Sequence, residues 1–394
     1  MHSRYSIIGL AVIVALKLIL GALAVVQVPL WTAYHHEIDS YNIARLIAEE
    51  GRLPQESDFP PGQFEVRQGS QPPLYGLLTA PVAGVFGEPG RVAPQSNPFP
   101  VCVGGAELVT LFESDTSYSF PPSGHARGGY ALRSLNVLFG VLAVLFVYGA
   151  GSTVAPDKPL IALTAAGLLA FEPYTLLMNS MIINDNLLLM VAAANLFFAV
   201  RVLQRPRPLD VVLLWVTALL GTLTKLNGWV LPGLAALVML VLAWRAVRPL
   251  RITRRGLLIG MGAVLSLLVV FGGVLAFNQM QYGTIYGRYN AVPQGIERVL
   301  SRGTDLLGVL PAMFGFTLTD YAAAVRDVPL PGRVVSAYEW TAALLVVFTA
   351  VGAVVSTVRR DWPAVRTFGI AAAVFGATVL MVFARNAQSQ LVID

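Results

Sequence analysis

Three acids and a lysine are the residues in this chain best suited to chemistry. Glu37 and Asp39 follow the His35-His36 pair in the stretch HHEIDSYNIARLIAEEGRLPQ. Asp185 lies in PYTLLMNSMIINDNLLL, and Lys225 stands in LTKLNG. A positioned carboxylate can take a proton from a reacting hydroxyl. A fixed ammonium can hold a lipid phosphate. Most of these residues also have a structural duty open to them. Asp39 or Ser40 can cap a short amphipathic helix over Ser40–Glu50, whose Ile43, Leu46 and Ile47 share a face and which Gly51 is placed to end. Asn184 or Asp185 can cap the helix that follows it, and Lys225 can snorkel to an interface. Glu37 has no capping duty, so it is the first choice for a general base and Asp39 the second. The paired histidines and acids do not predict a metal, because adjacent residues on one segment seldom close a site. His125 is isolated, and no nucleotide or metalloprotease motif is present. No cofactor is expected.

The elements that carry these residues are membrane helices. Of 394 residues, 56% are hydrophobic and 12% charged, against roughly a quarter charged in soluble domains. The apolar runs predict an all-α polytopic bundle of about nine spans. They are Ile7–Leu30, Leu132–Gly149, Leu160–Ala170, Leu187–Val200, Val211–Leu223, Val230–Trp244, Leu257–Phe277, Thr341–Val358 and Phe368–Phe383. The first run exceeds a signal peptide's apolar core and is read as an uncleaved span. Leu74–Phe86 follows Pro72-Pro73 and is read as a helix lying on the membrane surface. The single cysteine, Cys102, excludes an internal disulfide and a thiolate metal site. Lys17, inside the first span, is a functional candidate without a nameable partner.

Charge sets the expected orientation. With the N-terminus in the cytoplasm, the short inner loops carry Lys158, Arg201, Arg205, Arg207, Arg245, Arg248, Arg251, Arg254, Arg255, Arg359, Arg360 and Arg366. The short outer loops carry almost no positive charge apart from Lys225, the bias expected of cytoplasmic loops. The chain is then one membrane domain. A first span (1–30) leads to a long extracytoplasmic loop (31–130) with short surface helices. Core spans (131–277), a second outer loop (278–340) and the last spans (341–394) complete the order. The Gly-, Pro- and Ser-rich stretch 87–129 is expected to be irregular. All candidate chemistry falls on the outer face, where no nucleotide-activated substrate is available.

Four segments in this order resemble the polyprenyl-phosphate-dependent GT-C glycosyltransferases, near the protein O-mannosyltransferases and the lipid A aminoarabinose transferases. HEIDSYNIARLIAEEGRLP is similar to their first outer loop, QPPLYGLLTAP to their PPLYY-type segment, PYTLLMNSMIINDNLLL to their Asn-Asp turn, and LTKLNG to their Thr-Lys turn. The likeness covers the first half of the chain well and the second half poorly. Counted back from Gly51, the family's acidic pair falls on His36-Glu37, so His36 replaces the first acid. That departure leaves the base open between Glu37 and Asp39.

The resemblance implies a membrane-embedded glycosyltransferase. A polyprenyl-phosphate sugar would be the donor, and the acceptor a hydroxyl of a protein, lipid or glycan. Glu37, Asp39 and Asp185 would be catalytic, and His36, Gln71, Tyr75, Asn184, Lys225 and Arg288 would bind substrate. Tyr282, Tyr286 and Arg288, in YGTIYGRYN, suit a lipid head group or an interfacial aromatic belt. Related chains continue beyond the point where this one stops, so a truncated C-terminus is expected. A flippase or transporter for a lipid-linked substrate would need charges along a midplane path, whereas these gather in outer loops. A non-catalytic assembly factor is the third reading, kept open by His36 and the C-terminus.

Overall fold

The computed structural model describes residues 2–28, 30–31, 35–59, 69, 71–92, 101–103, 106–108 and 122–247, with 265, 269, 272, 273, 276, 279 and 280. The chain divides into two compact units, Met1–Val274 and Leu275–Asp394. Most of the expected span Leu257–Phe277 and of the second outer loop, with Tyr282, Tyr286 and Arg288, and all of the last two expected spans lie outside the described residues.

In the first unit the helices are α1 (His2–Gln27), α2 (His35–Glu50), α3 (Leu74–Phe86), α4 (Gly124–Val154), α5 (Pro159–Phe171), α6 (Pro173–Asn179), α7 (Asn184–Gln204), α8 (Pro208–Thr224) and α9 (Val230–Val247). Prolines at the first positions of α5 and α8 suit helix starts, because their missing N–H would be unpaired there anyway. Gly51 ends α2 with a φ of 65°, a conformation that costs glycine little.

Among the described residues three helical stretches are long and apolar enough to cross a bilayer: Tyr5–Gln27, Gly124–Val154 and Asn184–Gln204. The apolar helices Leu74–Phe86, Pro159–Phe171, Pro208–Thr224 and Val230–Leu242 are shorter. This is a helical membrane protein; of the six expected spans that fall on described residues, three reach full length and the other three are shorter helices. Its surface agrees. Ile8, Val12, Ile19, Leu23 and Val26 of α1 face outward, as expected of a lipid-facing helix.

Side-chain contacts fix the helix directions. Ser6 bonds Tyr148, Gly21 lies against Val137, and Arg133 reaches Val25 and Val28. Thus α1 and α4 run antiparallel. Asn136 meets Asn186 and Gly149 meets Phe197, so α4 and α7 run parallel. Asn195 bonds Thr217, Arg201 bonds Asp210 and Lys225 bonds Asp185, so α7 and α8 are antiparallel. One end of this bundle therefore gathers the end of α1, the starts of α4 and α7, and the end of α8.

Two expectations change. The first-loop helix begins at His35, five residues before Ser40, so Asp39 sits inside the helix and not at its N-cap. The 87–129 stretch, expected to be irregular, contains an antiparallel hairpin of β1 (Val101–Val103) and β2 (Ala106–Leu108), with Cys102 opposite Glu107.

Candidate active site

Glu37 occupies the first turn of α2 and is fully buried. Its Oε1 accepts from Arg133 Nε at 2.7 Å and from the Ile182 N–H at 3.1 Å. Its Oε2 accepts from Arg133 Nη2 at 2.7 Å and from the Trp31 N–H at 3.2 Å. A carboxylate offers about four acceptor sites, and these donors fill them. Arg133 also donates through Nη1 to the carbonyls of Val28, at 2.6 Å, and Val25, at 3.3 Å. Helix ends leave such carbonyls without intrahelical partners. One ion pair thus joins the end of α1, Trp31, the start of α2, the start of α4 and the segment leading into α7.

Beside it runs a buried amide chain. Asn179 Nδ2 donates to Asn186 Oδ1 at 2.7 Å, and Asn186 Nδ2 donates to Asn136 Oδ1 at 3.0 Å. Asn136 Nδ2 donates to the Tyr75 hydroxyl at 2.9 Å. Asn186 Nδ2 also reaches the carbonyls of Met178 and Met181, which holds the link between α6 and α7 in place. Burial pushes the Tyr75 hydroxyl well above the usual phenol range. The Asn136 bond works against that rise, while the negative charges of Glu37 and Asp185 add to it.

Asp185, in the first turn of α7 and next to Asn186 in the chain, is partly exposed. Lys225 Nζ donates to its Oδ2 at 2.6 Å, and the lysine and aspartate side chains are 15% and 36% exposed, respectively. The lysine is held by its backbone: its N–H donates to the Gly221 carbonyl, and its carbonyl accepts from the Gly228 N–H. A Cβ at Gly228 would lie 1.9 Å from the Gly221 oxygen. Only glycine fits that approach, which explains the final residue of LTKLNG.

Residues 125–274 match the family model for dolichyl-phosphate-mannose-protein mannosyltransferase. The match places this part of the chain, less than half of it, with the GT-C glycosyltransferases. No curated protein and no solved structure matches the chain. The GT-C-like segment holds Arg133, Asn136, Asn184, Asp185 and Lys225, whereas Glu37 and Tyr75 precede it. The bonds from Glu37 to Arg133 and from Tyr75 to Asn136 bind the preceding part to the GT-C-like one.

The structure pairs Asp185 with Lys225 and ties Glu37 and Tyr75 to α4 through Arg133 and Asn136. Asn184, a buried residue, opens α7; Asp39 is buried within α2; and Gln71 is half-buried just before α3. The backbone of His36 lies in α2. Arg288 lies outside the described residues. Sequence reasoning missed Arg133, Asn136, Asn179 and Asn186. Arg133 and Asn136 sit on a bilayer-length apolar helix, and polar groups in that setting are candidates in their own right. That signal was available for both. Among the described residues no cluster of His, Cys, Asp and Glu could hold a metal.

Proposed function

We propose that the protein transfers a sugar from a polyprenyl-phosphate donor to an acceptor hydroxyl at the extracytoplasmic end of its bundle. The observation that carries the reading is the Lys225–Asp185 pair, a cation and a carboxylate 2.6 Å apart and partly open to solvent. The family match of the segment that contains them supports it. The charge distribution supports the side: Lys158, Arg201, Arg205 and Arg207 sit in the turns at the opposite end of the helices, as cytoplasmic turns would.

In the reaction the acceptor oxygen bonds to the anomeric carbon as the bond from that carbon to the phosphate oxygen breaks. The acceptor proton passes to a carboxylate, and the lipid phosphate leaves with the bonding electrons. Lys225 stabilises the charge that builds on it. Asp185, exposed and beside the cation, is assigned as the base, with Asp39 next in line. Glu37, with its acceptor sites filled, is assigned to positioning.

The test is release of polyprenyl phosphate and sugar transfer by the purified chain, with a panel of polyprenyl-phosphate hexoses and membrane extracts as acceptor. Asp185→Asn should lose about 10²–10⁴-fold in rate, the usual worth of general-base help. Full activity of Asp185→Asn alongside an inactive, well-folded Asp39→Asn would move the base to Asp39. No consumption of any donor by the folded wild type would sink the reading.

A further inference from the structure

Asp185 and a substrate phosphate need the same ammonium. Lys225 Nζ lies on Asp185 Oδ2, so one of the two carboxylate oxygens is already engaged. The main chain of Lys225 is tied on both sides, to Gly221 and to Gly228, within a turn that tolerates no Cβ at Gly228, so its ammonium stays within one side-chain length of this point. Asp185 is less dependent on the lysine. It stands in the first turn of α7, where the helix dipole itself favours a negative charge. A phosphate oxygen at the same partly exposed mouth can therefore take the ammonium while Asp185 keeps a stabilising environment.

From this geometry we infer that the lipid phosphate displaces Asp185 from Lys225, so that donor binding itself frees the carboxylate oxygen for the acceptor. The inference rests on the proposed transferase reading and adds an order to it, donor before acceptor. Before the donor arrives, Oδ2 holds the lysine. Afterwards the lysine holds phosphate and Oδ2 faces the hydroxyl. The recognised chemistry is a phosphate ester, and the exchange makes Asp185 a brake on its binding.

The probe is polyprenyl monophosphate, the leaving lipid, titrated against the full chain in nanodiscs. Inorganic phosphate is titrated in parallel, and folding is followed by thermal unfolding. Removing the competing charge with Asp185→Asn, or with Asp185→Ser should the first variant fold poorly, should tighten binding about tenfold. Asp185→Glu, which keeps the competitor, should bind as the wild type does. Lys225→Met should weaken binding about ten- to a hundredfold, and adding Asp185→Asn to it should change nothing further. Tightening toward the lipid alone assigns recognition to phosphate and chain together, and tightening toward both probes assigns it to phosphate; either supports the exchange. Equal affinity of wild type and Asp185→Asn for a lipid that does bind would overturn the exchange and leave the transferase reading standing. No binding of the lipid to any folded form would remove that reading as well.

Discussion

Glu37 and Arg133 are both 0% exposed at their side chains, and each would be stranded without the other. Breaking a buried pair by removing one partner costs about 3–5 kcal/mol, whereas removing both charges together costs far less. Glu37→Gln and Arg133→Met should therefore each lower the melting temperature in detergent, and the double variant should recover part of the loss. Strict addition of the two losses would show that the charges are not coupled. Asp185→Asn should leave the melting temperature nearly unchanged, since a partly exposed pair contributes about 0–1 kcal/mol. The acids were legible in the sequence as candidates, but their division of labour was not. Glu37 stood out because it lacked a capping duty. Its partner is 96 positions away, and a donor that remote leaves no local trace. The residue pattern starts this helix at Ser40, five residues late, which makes Asp39 resemble a cap.

At the level of elements, the link from α6 to α7 depends on room beside α4. A Cβ at Gly140 would lie 2.1 Å from Asn179 Oδ1. Asn179 is fully buried and tied to Asn186, so it has little freedom to yield. Gly140→Ala should cost about 1–3 kcal/mol by overpacking. It should also slow transfer beyond that loss, because the displaced amide chain includes Asn186, the chain neighbour of Asp185. Gly233→Ala in α9 is the matched control. A Cβ there meets nothing within 4 Å, and alanine suits a helix interior better than glycine. Transfer rates normalised to the folded fraction would check this, and equal rates in the two variants would disconnect the amide chain from the site. The helix positions themselves were largely readable from apolar runs: the helix Leu74–Phe86 and the stop at Gly51 fall where the residue pattern puts them. The start of α2 was not readable, because its first turn is held by Arg133 and Ile182 rather than by its own residues.

Over the whole molecule, the described helices separate a basic end from the end that carries the site. Single cysteines at Gln55 and Gln95, in a chain with Cys102 replaced, should react with an impermeant thiol reagent on intact cells. Reaction only after lysis would reverse the orientation and remove the reason for a lipid-linked donor. Charge parity made this arrangement legible early, but it could not say which candidates meet in space. Lys17 bears on assembly. It is 1% exposed while most of α1 is turned to lipid. A half-turn of α1 about its own axis would swing the ammonium into hydrocarbon, at about 2.5–3.5 kcal/mol. Lys17 is therefore a rotational key. Helix α1 is made first, yet its azimuth is fixed only once α4 and α5, which pack against it at Gly21 and Gly9, have entered the membrane beside it.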